Sequence, residues 1–584
     1  MPNSLSPLKP YLYRYRWGLF WGGVSVVFSN GFWIIFPLAL GRATDDLNTG
    51  VTKHKILLYA LLLVAITAAK GIFLYLARWV LIGVSREIEF DLRNDLFANL
   101  ERQPLGFFHT HRTGDIMARS TNDLNAVRQM LGPAIMYSAN TVVFTLGALP
   151  FMIRISPWVT LCAFVPLPIA SVLVQYFGSR INQRFERIQA MFSDISAAAQ
   201  ENFSGARIIR AFAQEDAERS TFERANLEYI RRALHLVRLM GMLWPTLEFI
   251  LGLSLVLTLL AGGHEVLAHR MTVGNFLAFT AYMVQLTWPM IALGWVINLF
   301  ERGAASMVRI DELLKMKPAI DDAGADTGIS PDAILHGDIE FRDLNFSYPD
   351  GASVLHEINL NIPAGSSLAI VGPTGSGKST LVSLIPRLHD ALAGSVLIDG
   401  RSIHDWPLEV LRRNIGFVPQ ETFLFSETIR ENIAFGKPDA TDEEILSAAT
   451  AAHIGEEILE FPNGFATVVG ERGITLSGGQ KQRTAIARAL IRSPRILILD
   501  DALASVDTYT EEKILEELRR IMQGRTTIFI SHRVSTVRHA DRIAVLVQGR
   551  IAEIGTHDQL IARNGYYTAL NEKQQLEEEL AVAG

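Results

Sequence analysis

The sequence predicts an α-helical membrane domain of six long transmembrane helices with cytoplasmic extensions, followed by a soluble α/β domain. Three observations indicate this fold class: long uncharged segments in the first half, arginine-rich connections between some of them, and a polar composition after Met316. Of the 584 residues, 49% are hydrophobic and 20% are charged. Because soluble proteins average about 25% charged residues, we expect part of the chain in the lipid bilayer.

Six segments of the first half are long and apolar enough to cross a hydrocarbon core, which takes about 20 residues. The second segment is interrupted by Lys70 and Arg78, and the fifth carries Glu248. The expected spans are residues 17–40, 56–82, 134–153, 158–177, 239–261 and 275–300.

The connections between these spans alternate between arginine-poor and arginine-rich. The rich ones are the N-terminal arm, residues 84–133 and residues 178–238. The positive-inside rule places them in the cytoplasm, so the N-terminus and the soluble domain are expected there. The two long connections show helical periodicity and break at Pro104 and Gly205. We expect the cytoplasmic membrane to hold this multi-pass chain, with short transverse helices at the cytoplasmic tips.

The expected domains are a membrane domain at residues 1–316, a linker at 317–335, an α/β domain at 336–572 and an acidic tail at 573–584. The tail is interpreted as a solvated helix, with a partner-binding role left open. The net charge of −6 (54 − 60) argues against a nucleic-acid partner. With Cys162 as the single cysteine, the chain can form neither an intrachain disulfide nor a Cys-based zinc cage.

A phosphate-binding loop follows an apolar strand of the soluble domain and precedes an apolar helix. Its glycines let backbone N–H groups converge on phosphate oxygens, Lys378 offsets the phosphate charge, and Ser379 can ligate Mg²⁺. The loop reads Gly372, Pro373, Thr374, Gly375, Ser376, Gly377, Lys378, Ser379 and Thr380.

Two further segments indicate phosphate chemistry. Asp500 ends a second buried strand, as expected of a carboxylate that orients Mg²⁺. Leu476–Arg483 exposes backbone N–H groups and a serine hydroxyl at the start of an alanine-rich helix. A single terminal phosphate does not need two phosphate-binding segments, or cradles, from the same molecule. The second cradle is therefore expected to serve the nucleotide of another chain.

Between Tyr348 and His532, the order of the motifs resembles that of ATP-binding cassette (ABC) proteins. With six spans ahead of the cassette, the whole chain resembles an ABC exporter half-transporter, which acts as a dimer. The matching motifs are Tyr348 (A-loop), Gly372–Ser379 (Walker A), Gln420 (Q-loop), Leu476–Gln480 (signature), Asp500 (Walker B), Ser505–Asp507 (D-loop) and His532 (H-loop).

The resemblance implies a role for each matching residue. Tyr348 would stack on adenine, and the P-loop through Thr380 would hold the phosphates of ATP. Ser379, Gln420 and Asp500 would hold Mg²⁺. Hydrolysis would depend on Lys378, Gln420, Asp501 and His532, while Ser477, Gly478, Gly479, Gln480 and Asp507 would act across a dimer. Segments near Thr113–Ala118 and Gly205–Arg210 resemble the coupling helices that dock on cassettes.

One position departs from the family pattern. Asp501 stands where a glutamate usually polarises the attacking water. Its carboxylate falls about 1.5 Å short, and a misplacement of about 1 Å can cost about 100-fold in rate. The intact signature can still complete a partner's site. We therefore predict slow hydrolysis at this chain's own site and favour a heterodimer over a homodimer.

The function implied is ATP-driven export of hydrophobic or amphipathic compounds by alternating access. A lipid flippase of the same fold and a homodimeric multidrug exporter remain alternatives. Glu248 and Lys70 are ionisable residues at membrane depth, which favours a functional role. Glu248 is the candidate contact for cationic cargo, with an internal ion pair as the alternative.

Overall fold

A computed structural model describes residues 5–50, 52–348, 351, 353–470, 476–503, 514, 520 and 524–583. The chain divides into two compact units. A helical unit comprises Met1–Glu101 and Arg112–Met316, and an α/β unit comprises Arg102–His111 and Lys317–Gly584.

The helical unit is built from long helices joined by short turns. Two π-helical turns, Arg119–Asp123 and Met130–Ala134, interrupt its third long segment. The helices are α1 (Lys9–Arg14), α2 (Arg16–Thr49), α3 (Lys53–Glu101), α5 (Thr113–Ala118), α6 (Leu124–Gln129), α7 (Ile135–Ile155), α8 (Pro157–Phe164), α9 (Leu167–Ser204), α10 (Ala206–Ala211), α11 (Glu215–Leu267) and α12 (Val273–Lys315), with α4 (Leu105–Thr110) belonging to the α/β unit.

The helical membrane architecture expected from the sequence is confirmed. Within the described residues, five helical segments are long and apolar enough to cross a membrane, and they cover the first five expected spans. The sixth expected span, residues 275–300, lies inside the 43-residue helix α12. Helix α3 has 49 residues, about 73 Å at 1.5 Å per residue, and therefore extends far beyond a 30 Å hydrocarbon core.

Small residues let α2 and α12 approach closely. A Cβ added to Gly41 would lie 2.5 Å from the carbonyl oxygen of Gly274, so a larger residue cannot be accommodated without a shift. Nearby, the Tyr282 hydroxyl donates a 2.6 Å hydrogen bond to the Ile34 carbonyl. Close backbone approach and internal hydrogen bonds are the usual means of joining helices in a membrane.

Helices α9 and α11 pack against each other and are joined by α10. Arg184 donates to the His235 carbonyl at 3.4 Å, and the Phe192 and Tyr229 rings lie 6.2 Å apart. The residue numbers of the contacting positions increase along α9 while they decrease along α11, so the two helices are antiparallel. The expected break at Gly205 and the short helix after it are present.

The first cytoplasmic tip differs from the expectation. The sequence placed the docking segment at Thr113–Ala118, but that helix belongs to the helical unit. The preceding helix α4 groups with the α/β unit instead. Pro104 ends the long α3 extension and caps α4, whose Phe107 is buried and stacks on His111 at 4.2 Å. Helix α4 carries two aromatic residues, Phe107 and Phe108, whereas Thr113–Ala118 carries none.

The α/β unit contains two sheets. A four-stranded antiparallel sheet has the order β2-β1-β4-β5, and a six-stranded sheet has the order β10-β9-β3-β8-β7-β6. The strands are β1 (Ile339–Ser347), β2 (Ser353–Ile362), β3 (Ser367–Val371), β4 (Val396–Ile398), β5 (Arg401–Ser402), β6 (Ile415–Val418), β7 (Ile496–Asp500), β8 (Thr526–Ile530), β9 (Arg542–Val547) and β10 (Arg550–Gly555).

Helices surround the parallel part of the six-stranded sheet. Strands β7 and β8 are buried at every position, which explains the apolar runs at residues 496–499 and 528–530. The helices are α13 (Lys378–Ser383), α14 (Leu408–Arg413), α15 (Ile429–Ala434), α16 (Asp442–Ala451), α17 (Gly455–Glu460), α18 (Gly478–Leu490), α19 (Val534–Val537), α20 (His557–Arg563) and α21 (Tyr566–Ala583). Parallel pairing of β3, β8 and β7 brings their carboxyl ends to one edge, where the candidate site lies.

Candidate functional site

The P-loop connects β3 to α13 and has the backbone geometry of a phosphate cradle. Gly372 has φ +151°, and a Cβ there would lie 2.0 Å from the Leu546 carbonyl oxygen. Gly377, at φ +97°, immediately precedes α13. The Ser376 hydroxyl is buried and has no hydrogen-bond partner within the described part of the chain. An unpartnered buried hydroxyl beside a helix start fits a phosphate oxygen that this loop would bind.

The Lys378 ammonium folds back over the P-loop. Its Nζ donates to the carbonyl oxygens of Gly372 at 3.0 Å and Pro373 at 2.9 Å. Burial lowers the pKa of Lys378, while the nearby carboxylates of Asp501 and Asp500 oppose that shift. These two carbonyl contacts hold the cation at the loop, where it can neutralise phosphate charge.

Two of the three expected Mg²⁺ ligands, Ser379 and Asp500, meet at the end of β7. The Ser379 hydroxyl donates a 3.0 Å hydrogen bond to Asp500 Oδ1. Burial raises the pKa of Asp500, with the bond from Ser379 acting in the opposite direction. A hydroxyl and a carboxylate are hard oxygen donors that suit Mg²⁺, which would supply charge neutralisation to the phosphates when bound. Gln420, two residues beyond β6, is exposed.

Asp501 and His532 follow neighbouring parallel strands. Asp501 has φ +49°, and its N–H donates to the Ile530 carbonyl at 3.1 Å. His532 lies two residues beyond β8 and is exposed. The same edge of the sheet therefore holds the carboxylates, the histidine and the P-loop lysine.

Gln574, in the C-terminal helix α21, is a contact that the sequence analysis missed. Its Nε2 donates to the His532 carbonyl, and its Oε1 accepts from the Val534 N–H at 2.7 Å. The predicted acidic tail began one residue before this side chain and was interpreted as solvated. No local pattern distinguishes Gln574 from its exposed neighbour Gln575, so sequence alone gave no signal.

The Tyr348 side chain lies beside the P-loop helix. Its hydroxyl is 3.0 Å from Thr380 Oγ1, and its ring makes an edge contact with His389 at 5.2 Å. Burial lowers the pKa of His389, and His109 in α4 lowers it further. His389 thus lies between the docked helix α4 and the expected adenine-stacking tyrosine.

The signature begins helix α18. Ser477 caps the helix by accepting from the Gln480 N–H at 3.3 Å, and the Gln480 side chain accepts from the Ser477 N–H at 2.8 Å. Glu457 accepts from the Gln480 amide and from Arg483 Nη2, the latter at 2.6 Å. Glu457 and Arg483 were also missed, because an isolated charged pair far apart in sequence carries no motif.

Two of the expected contacts stay predictions. The D-loop prediction, including Asp507, lies outside the described residues. Glu248 is exposed on α11 of the helical unit and has no ion-pair partner among the residues described there, so its contact with cargo stays a prediction.

Comparison with known proteins identifies both units. Residues 19–290 match the ABC transporter transmembrane region, and residues 355–504 match the ABC transporter domain. The chain is 37% identical over 543 residues to the "Probable multidrug resistance ABC transporter ATP-binding/permease protein YheI" of Bacillus subtilis (strain 168), covering 92% of each protein. The chain belongs to the ABC transporter family.

Other relatives of this half-transporter have the same fused architecture. The present chain is 38% identical over 533 residues to the "ATP-dependent lipid A-core flippase" of Syntrophus aciditrophicus (strain SB), and the alignment covers 91% of this chain and 88% of that protein. A structure described as "a bacterial Atm1-family ABC exporter with ATP bound" aligns with a TM-score of 0.77 and 29% identity, covering 97% of this chain and 99% of the other. The fold and the membrane-embedded, multi-pass organisation with a cytoplasmic ATP-binding domain are confirmed.

Proposed function

We propose that this half-transporter exports hydrophobic or amphipathic compounds across a bacterial inner membrane, driven by ATP. The observation that carries this proposal is the nucleotide site: a glycine cradle, Lys378 over the loop, and Ser379 hydrogen-bonded to Asp500. The described part of the same chain has five helical segments long and apolar enough to cross a membrane, and the sixth expected span lies inside α12. The printed names of its relatives, a multidrug resistance transporter and a lipid A-core flippase, support cargo of this class.

The site residues have distinct tasks in this proposal. Tyr348 stacks on adenine, and the P-loop N–H groups together with Ser376 bind the phosphates. Ser379, Asp500 and Gln420 would hold Mg²⁺. Asp501 orients the attacking water, and His532 contacts the terminal phosphate. Binding of ATP between two cassettes favours one arrangement of the membrane helices and hydrolysis restores the other, which is alternating access.

We further infer that the working transporter is a heterodimer. In support, Asp501 directly follows β7 at the edge of the sheet that holds the P-loop, and its carboxylate opposes the lowering of the Lys378 pKa by burial. It is nevertheless one methylene shorter than glutamate, which predicts slow turnover at this chain's own site. The intact signature, including Ser477, Gly478, Gly479 and Gln480, can complete a fast site on a glutamate-bearing partner, with Asp507 acting across the interface.

ATPase measurements on the purified chain alone test both parts of the proposal. Near-background turnover that rises strongly in Asp501→Glu and is lost on adding Lys378→Ala supports slow intrinsic hydrolysis and a heterodimer. Robust wild-type turnover that Lys378→Ala abolishes would show a working homodimer. Absence of ATP binding to the wild-type chain would refute the proposed function.

A lipid flippase is the second candidate, favoured by the named flippase relative. Reconstitution into liposomes with fluorescent phospholipid distinguishes the two. ATP-dependent movement of phospholipid between leaflets, without transport of a soluble dye, would assign the flippase activity.

A further inference from the structure

Helix α17 and the signature helix α18 are connected by the Glu457 carboxylate. Its Oε1 accepts a hydrogen bond from the side-chain amide of Gln480, and its Oε2 accepts from Arg483 Nη2 at 2.6 Å. Arg483 also donates to the His453 carbonyl at 2.6 Å through Nη1. The two oxygens of Glu457 therefore have different partners, and the Arg483 guanidinium offsets the charge of the carboxylate.

The contact with Glu457 determines which way the Gln480 amide points. An amide has an oxygen at one end and an NH₂ group at the other, and the two orientations fill nearly the same space. An ionised carboxylate only accepts hydrogen bonds, so it selects the orientation in which the NH₂ group of Gln480 faces Glu457. The amide oxygen then faces the Ser477 N–H, from which it accepts at 2.8 Å.

The Gln480 amide oxygen closes the capping box at the start of α18. Ser477 Oγ accepts from the Gln480 N–H at 3.3 Å, and the Gln480 side chain accepts from the Ser477 N–H in return. A reversed amide would bring its NH₂ group against the Ser477 N–H, which places two donors together without an acceptor. The backbone of Ser477 therefore depends on Glu457, 20 residues earlier in the chain.

We propose that Glu457 is a positioning residue of the signature. It orients Gln480, which holds Ser477 and the glycines after it in the geometry that receives the nucleotide of a second chain. Gln480 supports this geometry and is not itself a nucleotide contact, because both ends of its amide are hydrogen-bonded within its own chain. The inference rests on the proposed function, in which the signature completes an ATP site across a dimer.

A double-mutant cycle between positions 457 and 480 tests this role, because exchanging the two residue types reverses the polarity of their hydrogen bond. Gln480→Glu alone brings two carboxylates together, and Glu457→Gln alone lets the Gln480 amide reverse. In the double variant, the amide at position 457 donates to the carboxylate at position 480. The other oxygen of that carboxylate accepts from the Ser477 N–H, as glutamate does in common capping boxes.

ATP turnover is measured in nanodiscs, on full-length chains that carry Asp501→Glu. It is divided by the amount of fluorescent ATP analogue bound, so that a loss of folded protein does not count as a loss of turnover. We expect each single substitution to lower turnover per bound nucleotide about tenfold, and the double variant to recover to within about threefold of the parent. Glu456→Gln, an exposed neighbour in α17, should leave turnover unchanged and is the matched control.

Losses that simply multiply in the double variant would overturn the proposal, because independent structural losses add in free energy. That result would assign Gln480 a direct contact with the nucleotide. Equal losses in Glu457→Gln and Glu456→Gln would also overturn it.

Hydrogen exchange separates this inference from the proposed function. The same cycle is followed by mass spectrometry without ATP, on peptides that contain residues 477–483 of the chain with its native Asp501. Loss of protection in each single variant and recovery in the double variant, in a chain that never turns over ATP, would refute ATP-driven export and leave the positioning role. Robust ATP turnover by the parent, with no recovery by either measurement, would refute the positioning role and leave the proposed function.

Discussion

Glu457 joins α17 to the start of the signature helix α18 through two side-chain contacts, to Gln480 and to Arg483. We predict that Glu457→Gln destabilises the cassette. The substitution keeps the shape of the side chain but removes its charge. One charge-assisted hydrogen bond is therefore weakened to a neutral one, and the Arg483 guanidinium loses its carboxylate partner.

The expected loss is about 1–2 kcal/mol. Hydrogen bonds to charged groups contribute about 1.5–3 kcal/mol, and the 33% exposure of the Glu457 side chain reduces that figure. In a domain of 150–250 residues, each kcal/mol lowers Tm by about 2–4 °C, so a decrease of about 2–8 °C is expected. Differential scanning fluorimetry of the full chain in detergent measures the cassette transition.

Glu456→Gln is the matched control, because the neighbouring Glu456 is exposed and has no described partner. Its Tm should stay within about 1 °C of wild type, as surface substitutions usually do. Equal decreases in the two variants would refute the assigned contact. Binding of a fluorescent ATP analogue to the chain's own P-loop should not change in Glu457→Gln, since Glu457 contacts the signature and not the P-loop.

Three further outcomes follow from the α/β unit. Gln574→Ala should lower ATP turnover of the assembled transporter about tenfold without changing the KM for ATP, because two hydrogen bonds that position the H-loop backbone are lost. The control variant Gln575→Ala should leave turnover unchanged. Equal effects of the two substitutions would contradict this role. Burial lowers the pKa of His389 in the folded state, so the unfolded state binds a proton at this residue more readily. The cassette should therefore lose stability as the pH falls below about 6.5. A His389→Gln variant should show a smaller decrease in Tm between pH 7 and pH 5 than the wild type. Gly372→Ala should abolish ATP binding measured by fluorescence titration, because its Cβ would collide with the Leu546 carbonyl; retained binding would refute the assigned backbone geometry.

Local sequence patterns were sufficient to predict the helical membrane segments and the position of the P-loop between a strand and a helix. An uncharged run of about 20 residues has few stable conformations other than a membrane helix. Likewise, the spacing from Gly372 to Ser379 determines a loop at a helix start, and Asp500 ends an apolar strand. The structure brings the Ser379 hydroxyl to 3.0 Å from Asp500 because β3 and β7 both pair with β8 in parallel.

The tertiary structure alone decided which exposed or isolated polar residues have partners. Gln574 and Gln575 are the same residue type in one helix, yet only Gln574 is described with a bond to the H-loop. Similarly, α4 rather than Thr113–Ala118 groups with the α/β unit, which follows from tertiary contacts and not from a local pattern.

Lys70 shows the same division between sequence and structure. The sequence identified Lys70 as an ionisable residue at membrane depth, and its position in the expected span follows from the residue count. Its ammonium lies 3.9 Å from the centroid of the Trp33 ring, a contact that depends on how α2 and α3 pack and that no periodicity along one helix predicts. The sequence therefore determined which chemical groups the chain carries into the membrane and to the P-loop, because they follow from residue type and position. Packing decided which other groups they contact, because those contacts join residues far apart in the chain.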